Sequence, residues 1–286
     1  MKLHFELIES LSLPGHPQKP NEDALGVCAN AACVFDGATP LSESLMPGPS
    51  DAQWIASFAA RRLCAHAQSA EGNLGGWLRA TAQDSENSFR ALRKRAPREN
   101  YETPFASAVM AGLESGTLRV LWFGDCAALL RDSGGQFLLF GDTLDKRENE
   151  RDRVEKLSRG NEPGPANNSG VREEFLPALR ISRNFVNTGE EWLFAPDAAC
   201  AAHAKSGEAE VTPGTAVLLA SDGFLALMSD YGRYTPEQLY DAAQTDGLKK
   251  LGQELRAIEL ADSRGLAFPR FKSSDDATAL LVRISE

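Results

Sequence analysis

Aspartate residues stand at the ends of several apolar runs in this chain of 286 residues. The run VLLAS leads directly into Asp222 and the run ACVF leads directly into Asp36, and a glycine follows each aspartate. The run VLWFG leads into Asp125, whereas near the C-terminus Asp275 and Asp276 immediately precede the run ATALLV. Short apolar runs of this kind are typical of buried strands. The sequence therefore predicts carboxylates at the ends of several strands.

Two interpretations of these carboxylates are open, a set of turns or a common site. A single Asp-Gly pair is common in turns, but the pattern recurs, and Glu22 and Asp23 add an acidic pair before another predicted strand. Buried carboxylates that converge would repel one another unless cations neutralise them. A set of oxygen ligands selects Mg²⁺ or Mn²⁺ rather than zinc. Convergence therefore predicts a centre for hard divalent cations.

Helical periodicity predicts the segments that lie outside the strands. Apolar residues recur at helical spacing over residues 54–63, with Ser50 or Asp51 as the N-cap, and again over residues 77–92. The sequence Thr-Pro-Glu-Gln that begins at Thr235 predicts another helix, with a capping box and proline in the first turn.

Alternating and apolar runs predict the strands. Leu3, Phe5 and Leu7 alternate with polar residues, as in a half-buried strand. After the second predicted helix come runs at residues 105–113, 117–123, 126–131 and 136–140. Two of the connectors between them are short and contain glycine, which favours antiparallel pairing. Antiparallel sheets covered by helices on their outer faces fit this order, an α+β fold.

The composition of residues 142–183 predicts an exposed segment outside the sheets, which we call the excursion. Its first part is highly charged, and residues 160–170 are rich in Gly, Pro and Asn. A domain boundary here would leave the strand runs at residues 216–220 and 277–284 without partners. We therefore predict a single domain over residues 1–286.

Composition excludes some classes of function. The net charge of −10 argues against nucleic acid and anionic membranes as partners, since both attract basic surfaces. The five cysteines form no Cys-x-x-Cys pair, and the four histidines lie far in sequence from the acidic strand ends. No run reaches the roughly 20 apolar residues of a membrane span, and the N-terminus is unlike a signal peptide. These features favour a reduced, cytoplasmic protein; they do not indicate an oligomeric state.

The acidic motifs, taken in order, resemble those of a known family. The motifs are Asn21-Glu22-Asp23-Ala24, Phe35-Asp36-Gly37, Gly124-Asp125, Ser221-Asp222-Gly223 and Asp275-Asp276-Ala277-Thr278. From about residue 20 onward this series resembles that of the metal-dependent protein phosphatases, the protein phosphatase 2C family. The resemblance implies a four-layer α-β-β-α sandwich of two antiparallel sheets flanked by helices. It also implies hydrolysis of phosphoserine and phosphothreonine in protein substrates.

The resemblance implies a role for each strand-end carboxylate. Asp36 would bridge two Mn²⁺ or Mg²⁺ ions and the Gly37 carbonyl would ligate one of them, while Asp222 and Asp275 would hold the other. A water between two cations loses a proton near neutral pH and can displace the phosphoryl group in line, so no covalent intermediate is required. Asp36 and Asp222 would thus be the catalytic pair of the centre.

The remaining acidic motifs would have supporting roles. Glu22 and Asp23 would act mostly through bound waters, and Asp125 would ligate a third, weaker ion. The excursion at residues 142–183 stands where the family has a flap that helps to select substrates.

The sequence also departs from the family pattern. Gln18 stands where members usually carry an arginine that clasps the substrate phosphate, and the adjacent Lys19 can offer a point charge but no bidentate fork. Ala38 stands where many members have a histidine, and Cys126 and Ala127 replace a common serine and arginine. Two alternatives therefore stay open: a non-catalytic relative that binds a partner, and a hydrolase of small phosphoesters.

Overall fold

A computed structural model of the chain describes residues 3–69, 71–144, 173–268, 270, 272 and 274–286. The strands of this part of the chain form two sheets in which all neighbours are antiparallel. The first sheet has the order β1 (His4–Leu13), β10 (Ala277–Ser285), β9 (Ala216–Ala220), β6 (Ala127–Arg131) and β7 (Phe137–Phe140). The second has the order β2 (Asp23–Val27), β3 (Ala31–Gly37), β4 (Ala106–Glu114), β5 (Thr117–Phe123) and β8 (Lys205–Glu210).

Helices cover the outer faces of both sheets. Within the described residues the α-helices are α1 (Asp51–Ser69), α2 (Leu74–Leu92), α3 (Leu176–Asn184), α4 (Asp222–Ser229), α5 (Pro236–Thr245) and α6 (Leu248–Ala261). One apolar cluster joins α1 and α2 to the second sheet, and another joins α4, α5 and α6 to the first. A third cluster lies between the sheets, where Val34 and Val120 of one face Val217 and Val282 of the other. The predicted α-β-β-α sandwich is therefore confirmed.

The strands predicted over residues 105–140, 216–220 and 277–284 lie within about two residues of those observed, whereas β1 and α1 extend beyond their predicted runs. Ser50 caps α1, because its hydroxyl accepts hydrogen bonds from the backbone N–H groups of Ala52 (3.2 Å) and Gln53 (3.4 Å). Thr235 and Gln238 form the predicted capping box. Of the predicted excursion, residues 145–172 lie outside the described residues, and the single domain stays a prediction. Across the described part of the chain, none of the helices is both long and apolar enough to cross a membrane.

The prediction that Leu7 is half-buried like Phe5 is wrong in part. Phe5 is buried between the sheets, but 48% of the Leu7 surface is exposed. β1 is an edge strand, and its register with β10 shifts between Leu7 and Glu9, so Ile8 is an extra residue without a partner. β1 has a neighbouring strand on one side only, so Leu7 is covered less than a side chain of a central strand.

The Asp-Gly pairs at Asp36 and Asp222 are not turns. Gly37 is the last residue of β3 and Gly223 lies in the first turn of α4, and neither has a left-handed backbone. Each glycine is instead required by close packing. A Cβ at Gly37 would collide with the carbonyl of Ala52, and a Cβ at Gly223 would collide with the carbonyl of Asp276. The two glycines allow the acidic segments to approach one another closely.

Gly223→Ala is expected to destabilise the protein by about 1–3 kcal/mol, because the added methyl forces the backbone at Asp276 to move. Urea unfolding followed by circular dichroism measures this loss. Gly189→Ala is the matched control, since a Cβ there meets no atom within 4 Å. Equal unfolding free energies for the two variants would contradict the packing argument.

Candidate metal centre

Three strand ends bring aspartates together at one end of the sandwich. Asp36 lies at the end of β3, Asp222 begins α4 directly after β9, and Asp125 follows β5. Carboxylate oxygens of these three residues all lie within 4.8 Å of one another. β3 and β9 belong to different sheets, so the cluster joins both layers. Gly124, with a φ of 69°, makes the turn by which the chain passes from β5 to β6 in the opposite sheet.

Asp23 lies directly behind this cluster. It is the register partner of Asp36 across the β2–β3 ladder and is only 6% exposed. Its Oδ2 accepts a hydrogen bond from the Ser221 hydroxyl at 2.8 Å, whereas its Oδ1 is buried and has no hydrogen-bond partner. A buried carboxylate oxygen without a donor is costly unless a cation lies nearby. This oxygen therefore fits a site that holds a cation.

Glu22 is held from the opposite side by hydroxyl groups. Its carboxylate accepts hydrogen bonds from Thr39 Oγ1 at 2.6 Å and from the hydroxyl of Ser50. Its backbone carbonyl accepts a hydrogen bond from the N–H of Gly37 at 3.1 Å, which ties it to the end of β3. Burial raises the pKa of Glu22, although these two hydroxyls favour the carboxylate form. Ser50 thus joins the start of α1 to the candidate site.

The structure separates the roles of Asp275 and Asp276. Asp276 Oδ1 accepts a hydrogen bond from the backbone N–H of Gly15 at 2.7 Å, and its Oδ2 accepts one from the N–H of Glu22 at 2.6 Å. Asp276 therefore ties the segment between β1 and β2 in place. Asp275 instead lines the cavity of the aspartate cluster, and its Oδ1 lies 2.6 Å from the ammonium of Lys272.

A cavity of about 640 Å³ opens above the aspartates. Arg183, from α3, lies in its wall, and its Nη1 donates a hydrogen bond to the carbonyl of Thr39 at 2.6 Å. Burial lowers the pKa of Arg183 to about 10, while Glu22 acts in the opposite sense. His203 lines the same cavity, stacked on Trp192 with ring centroids 3.4 Å apart. Neither Arg183 nor His203 was among the site residues predicted from the sequence.

Lys19 lies in a neighbouring cavity of about 440 Å³ together with Glu22. Both cavities are lined by Thr39, Leu41, Lys272 and Asp275. Burial lowers the pKa of Lys19, and the carboxylate of Glu22 partly offsets this effect. The predicted phosphate-binding lysine thus approaches the site from the side of Glu22 and does not line the cavity of the aspartate cluster.

The electrostatics of the site indicate an excess of negative charge. Burial, followed by the charges of Asp23 and Asp222, raises the pKa of Asp36 well above its ordinary value. Burial and neighbouring carboxylates raise the pKa of Asp23 to about 8. Burial opposes the charge of Lys272, but the surrounding carboxylates, first Asp275, raise its pKa. Oxygen donors with this much charge fit a divalent metal of the Mg²⁺ or Mn²⁺ type.

In the absence of metal, the protein is expected to lose stability as the pH rises from about 4 to about 8. The pKa of Asp23 is raised from 3.8 to about 8 in the folded state, so the folded protein keeps a proton that the unfolded chain releases. The resulting stabilisation is complete below pH 3.8 and is lost as the pH passes through 8. Thermal unfolding in EDTA over this range measures the effect. Asp23→Asn should flatten the profile, and an unchanged slope would contradict the assignment.

The fold is that of known phosphatases. The chain is similar to the catalytic domain of the serine/threonine phosphatase PstP in complex with two manganese ions, with 15% identity, complete coverage of both chains and a TM-score of 0.55. It is also similar to the Mycobacterium tuberculosis serine/threonine phosphatase PstP/Ppp (14% identity, 99% of both chains, TM-score 0.57). A third similar structure is the PPM Ser-Thr phosphatase MsPP of Mycobacterium smegmatis (16% identity, 96% of this chain and 97% of that chain, TM-score 0.51).

Sequence comparisons add nothing to this structural likeness, since no protein-family model and no curated protein sequence matches the chain. At these levels of identity the likeness concerns the fold. The fold that the acidic motifs implied, that of the metal-dependent protein phosphatases, is therefore confirmed.

Proposed function

We propose that this protein is a metal-dependent phosphatase that hydrolyses phosphoserine or phosphothreonine in proteins. The observation that carries the proposal is the convergence of Asp36, Asp125 and Asp222, from three separate strand ends, at the floor of one cavity. The similar solved structures are serine/threonine phosphatases, and one of them contains two manganese ions. Fold, donor chemistry and cavity thus agree on one class of reaction.

Different residues of the chain would ligate different ions. Asp36, the Gly37 carbonyl, Asp222 and Asp275 would hold two Mn²⁺ or Mg²⁺ ions, with Asp125 serving a third. When bound, such ions activate a water and stabilise the charge on the phosphoryl oxygens. Asp36, Gly37 and Asp222 come from a strand end or the start of a helix, and Asp125 and Asp275 lie within two residues of a strand. Rigid elements of this kind would hold the ligands in place before the ions bind.

Glu22 and Asp23 would orient waters around the centre. Glu22 is fixed by the hydroxyls of Thr39 and Ser50, and Asp23 is fixed by the hydroxyl of Ser221. A carboxylate held in this way can accept a hydrogen bond from a water without changing its rotamer. The hydroxyl partners therefore contribute to the pre-organisation of the site.

The substrate phosphate needs cationic partners, and the chain provides them from two sides. Lys19 would offer a point charge beside Glu22. Arg183 faces the aspartate cavity, where its planar guanidinium can bind two phosphate oxygens at once. Arg183 would thereby take the place of the arginine that is replaced by Gln18 in this sequence.

Arg183→Ala is expected to raise KM for a phosphopeptide by about 10-fold or more, since an ionised hydrogen bond contributes roughly 1.5–3 kcal/mol. Arg183→Lys should recover only part of the loss, because an ammonium cannot form the bidentate contact. Steady-state kinetics at saturating Mn²⁺ measure both variants. Arg90→Ala is a control, since Arg90 pairs with Glu86 on α2 and lines neither of the two cavities. An unchanged KM for Arg183→Ala would contradict the role.

Phosphate release from a panel of substrates tests the function itself. Purified protein with added Mn²⁺ should dephosphorylate phosphoserine and phosphothreonine peptides and should stop when EDTA is added. The same assay with nucleotides and sugar phosphates separates this function from hydrolysis of small phosphoesters. Mn²⁺ binding without turnover on any substrate would instead identify a non-catalytic binding protein.

A further inference from the structure

The carboxylates of the candidate centre fall into two groups with different partners. The first group, Asp36, Asp125 and Asp222, lies close enough to share one cation. Asp275 lies outside this group although it lines the same cavity. Asp275 instead contacts the ammonium of Lys272, 2.6 Å from its Oδ1. A positive charge from the chain itself thus stands at this part of the site.

The contact between Lys272 and Asp275 is built into the fold on the aspartate side. The carbonyl of Asp275 accepts a hydrogen bond from Arg256 of α6 at 2.9 Å, and Arg256 also donates to the hydroxyl of Ser274 at 2.7 Å. The backbone N–H of Asp276 donates to Asp275 Oδ1 at 2.9 Å, on the same oxygen that contacts Lys272. Asp275 is therefore held in place for the lysine.

Both side chains of this pair are largely removed from solvent. The side chains of Lys272 and Asp275 are 26% and 27% exposed, whereas Lys205, on another wall of the cavity, is 59% exposed in its contact with Asp142. An ion pair shielded from water is screened less than one at the surface. A divalent ion that approaches Asp275 must therefore compete with an ammonium that is already in contact.

We propose that Lys272 is a tethered cation that occupies Asp275 and so weakens the binding of a second divalent ion at this centre. The inference rests on the proposed function only in that it assumes a divalent-ion centre. The first ion binds within the group that contains Asp36 and Asp222, and the ion that needs Asp275 binds only when the ammonium leaves that carboxylate. Lys272 thereby sets the concentration of metal at which the centre is filled.

Mn²⁺ titration by calorimetry, with bound Mn²⁺ counted by electron paramagnetic resonance, tests this proposal. Lys272→Met should bind the second Mn²⁺ at least tenfold more tightly than the wild-type protein. Lys272→Arg keeps the charge and should resemble the wild type. Lys205→Met removes the same charge from another wall of the cavity, and its second-ion affinity should change less than threefold.

Two results would overturn the proposal: equal second-ion affinity in Lys272→Met and wild type, or an equal gain in Lys205→Met. If Lys272→Met does not fold, Asp275→Asn decides the question. Its first Mn²⁺ should bind as in the wild type, and loss of that ion would overturn the proposal. Phosphate release is measured separately, so a protein that binds ions in this pattern without hydrolysis contradicts only the proposed function.

Discussion

Asp36→Asn is expected to lower kcat/KM for Mn²⁺-dependent phosphate release by about 1000-fold, equivalent to roughly 4 kcal/mol of transition-state stabilisation. Asp36 belongs to two parts of the site: it shares the cluster with Asp125 and Asp222 and is the register partner of Asp23. An amide offers one neutral oxygen in place of a charged carboxylate. Loss of this ligand should therefore weaken the binding of every ion at the centre.

The same substitution should stabilise the metal-free protein. Burial and the charges of Asp23 and Asp222 raise the pKa of Asp36, which means that its ionised form is unfavourable in the folded state. Asparagine has no ionisable carboxyl group, so the folded variant does not incur this cost. Thermal unfolding in EDTA should therefore show a higher Tm for Asp36→Asn than for the wild type. Added Mn²⁺ should raise the Tm of the wild type and leave the variant nearly unchanged.

A substitution that lowers activity but raises the stability of the metal-free protein distinguishes a metal ligand from a structural residue. Replacement of a purely structural aspartate would lower both the activity and the stability of the protein. Asp241→Asn is a suitable control, because Asp241 is an exposed residue of α5 that pairs with Arg131. It should change neither property. Retention of Mn²⁺-dependent activity in Asp36→Asn combined with Asp222→Asn would rule out the proposed centre.

The positions of the main acidic residues could be predicted because they follow regular elements. An apolar run that stops at an aspartate predicts where that carboxylate stands, and the order of runs predicted antiparallel sheets covered by helices, of which the family resemblance implied two. Asp36 and Asp222 are examples. Their glycines were harder to interpret, since close approach of Ala52 and Asp276 to those positions depends on tertiary packing that leaves no local pattern.

The cationic residues of the site could not be predicted in the same way. Arg183 reaches the cavity from α3, far in sequence from the acidic motifs, whereas Lys272 contacts Asp275 from only three residues earlier in the segment before β10. Nothing in their local sequence distinguishes them from solvated surface residues. A physical signal does exist, because a cluster of buried carboxylates needs nearby positive charge. That requirement implies that positively charged side chains lie near the cluster, but it does not identify the residues that supply them.

Adjacent residues posed another limit. The residue pattern alone did not distinguish Asp275 from Asp276, and only the family resemblance selected Asp275; neighbouring side chains in an extended chain point to opposite sides. In the structure Asp275 lines the cavity, whereas the carboxylate of Asp276 accepts hydrogen bonds from backbone N–H groups. Which of them faces the cavity depends on the register of β10 with β9, which sequence periodicity does not determine.

Asp276→Ala is expected to destabilise the protein by about 2–4 kcal/mol, because it removes the acceptor of two charge-assisted hydrogen bonds and leaves two backbone donors unpaired. Those donors are the N–H groups of Gly15 and Glu22, at 2.7 and 2.6 Å. Urea unfolding in EDTA measures the loss. Asp276→Asn keeps one acceptor oxygen and should lose about half as much.

The destabilisation should be accompanied by weaker Mn²⁺ binding, although Asp276 itself is assigned no ion. Its hydrogen bond fixes the backbone of Glu22, so the carboxylate of Glu22 should become less well placed beside Asp36 when Asp276 is removed. Asp132→Ala is the matched control: Asp132 also accepts hydrogen bonds from two backbone N–H groups, but in an exposed hairpin turn, at 2.9 and 2.8 Å. It should cost less stability and leave Mn²⁺ affinity unchanged. If Asp276→Ala resembles Asp132→Ala in both measurements, Asp276 does not position the acidic pair.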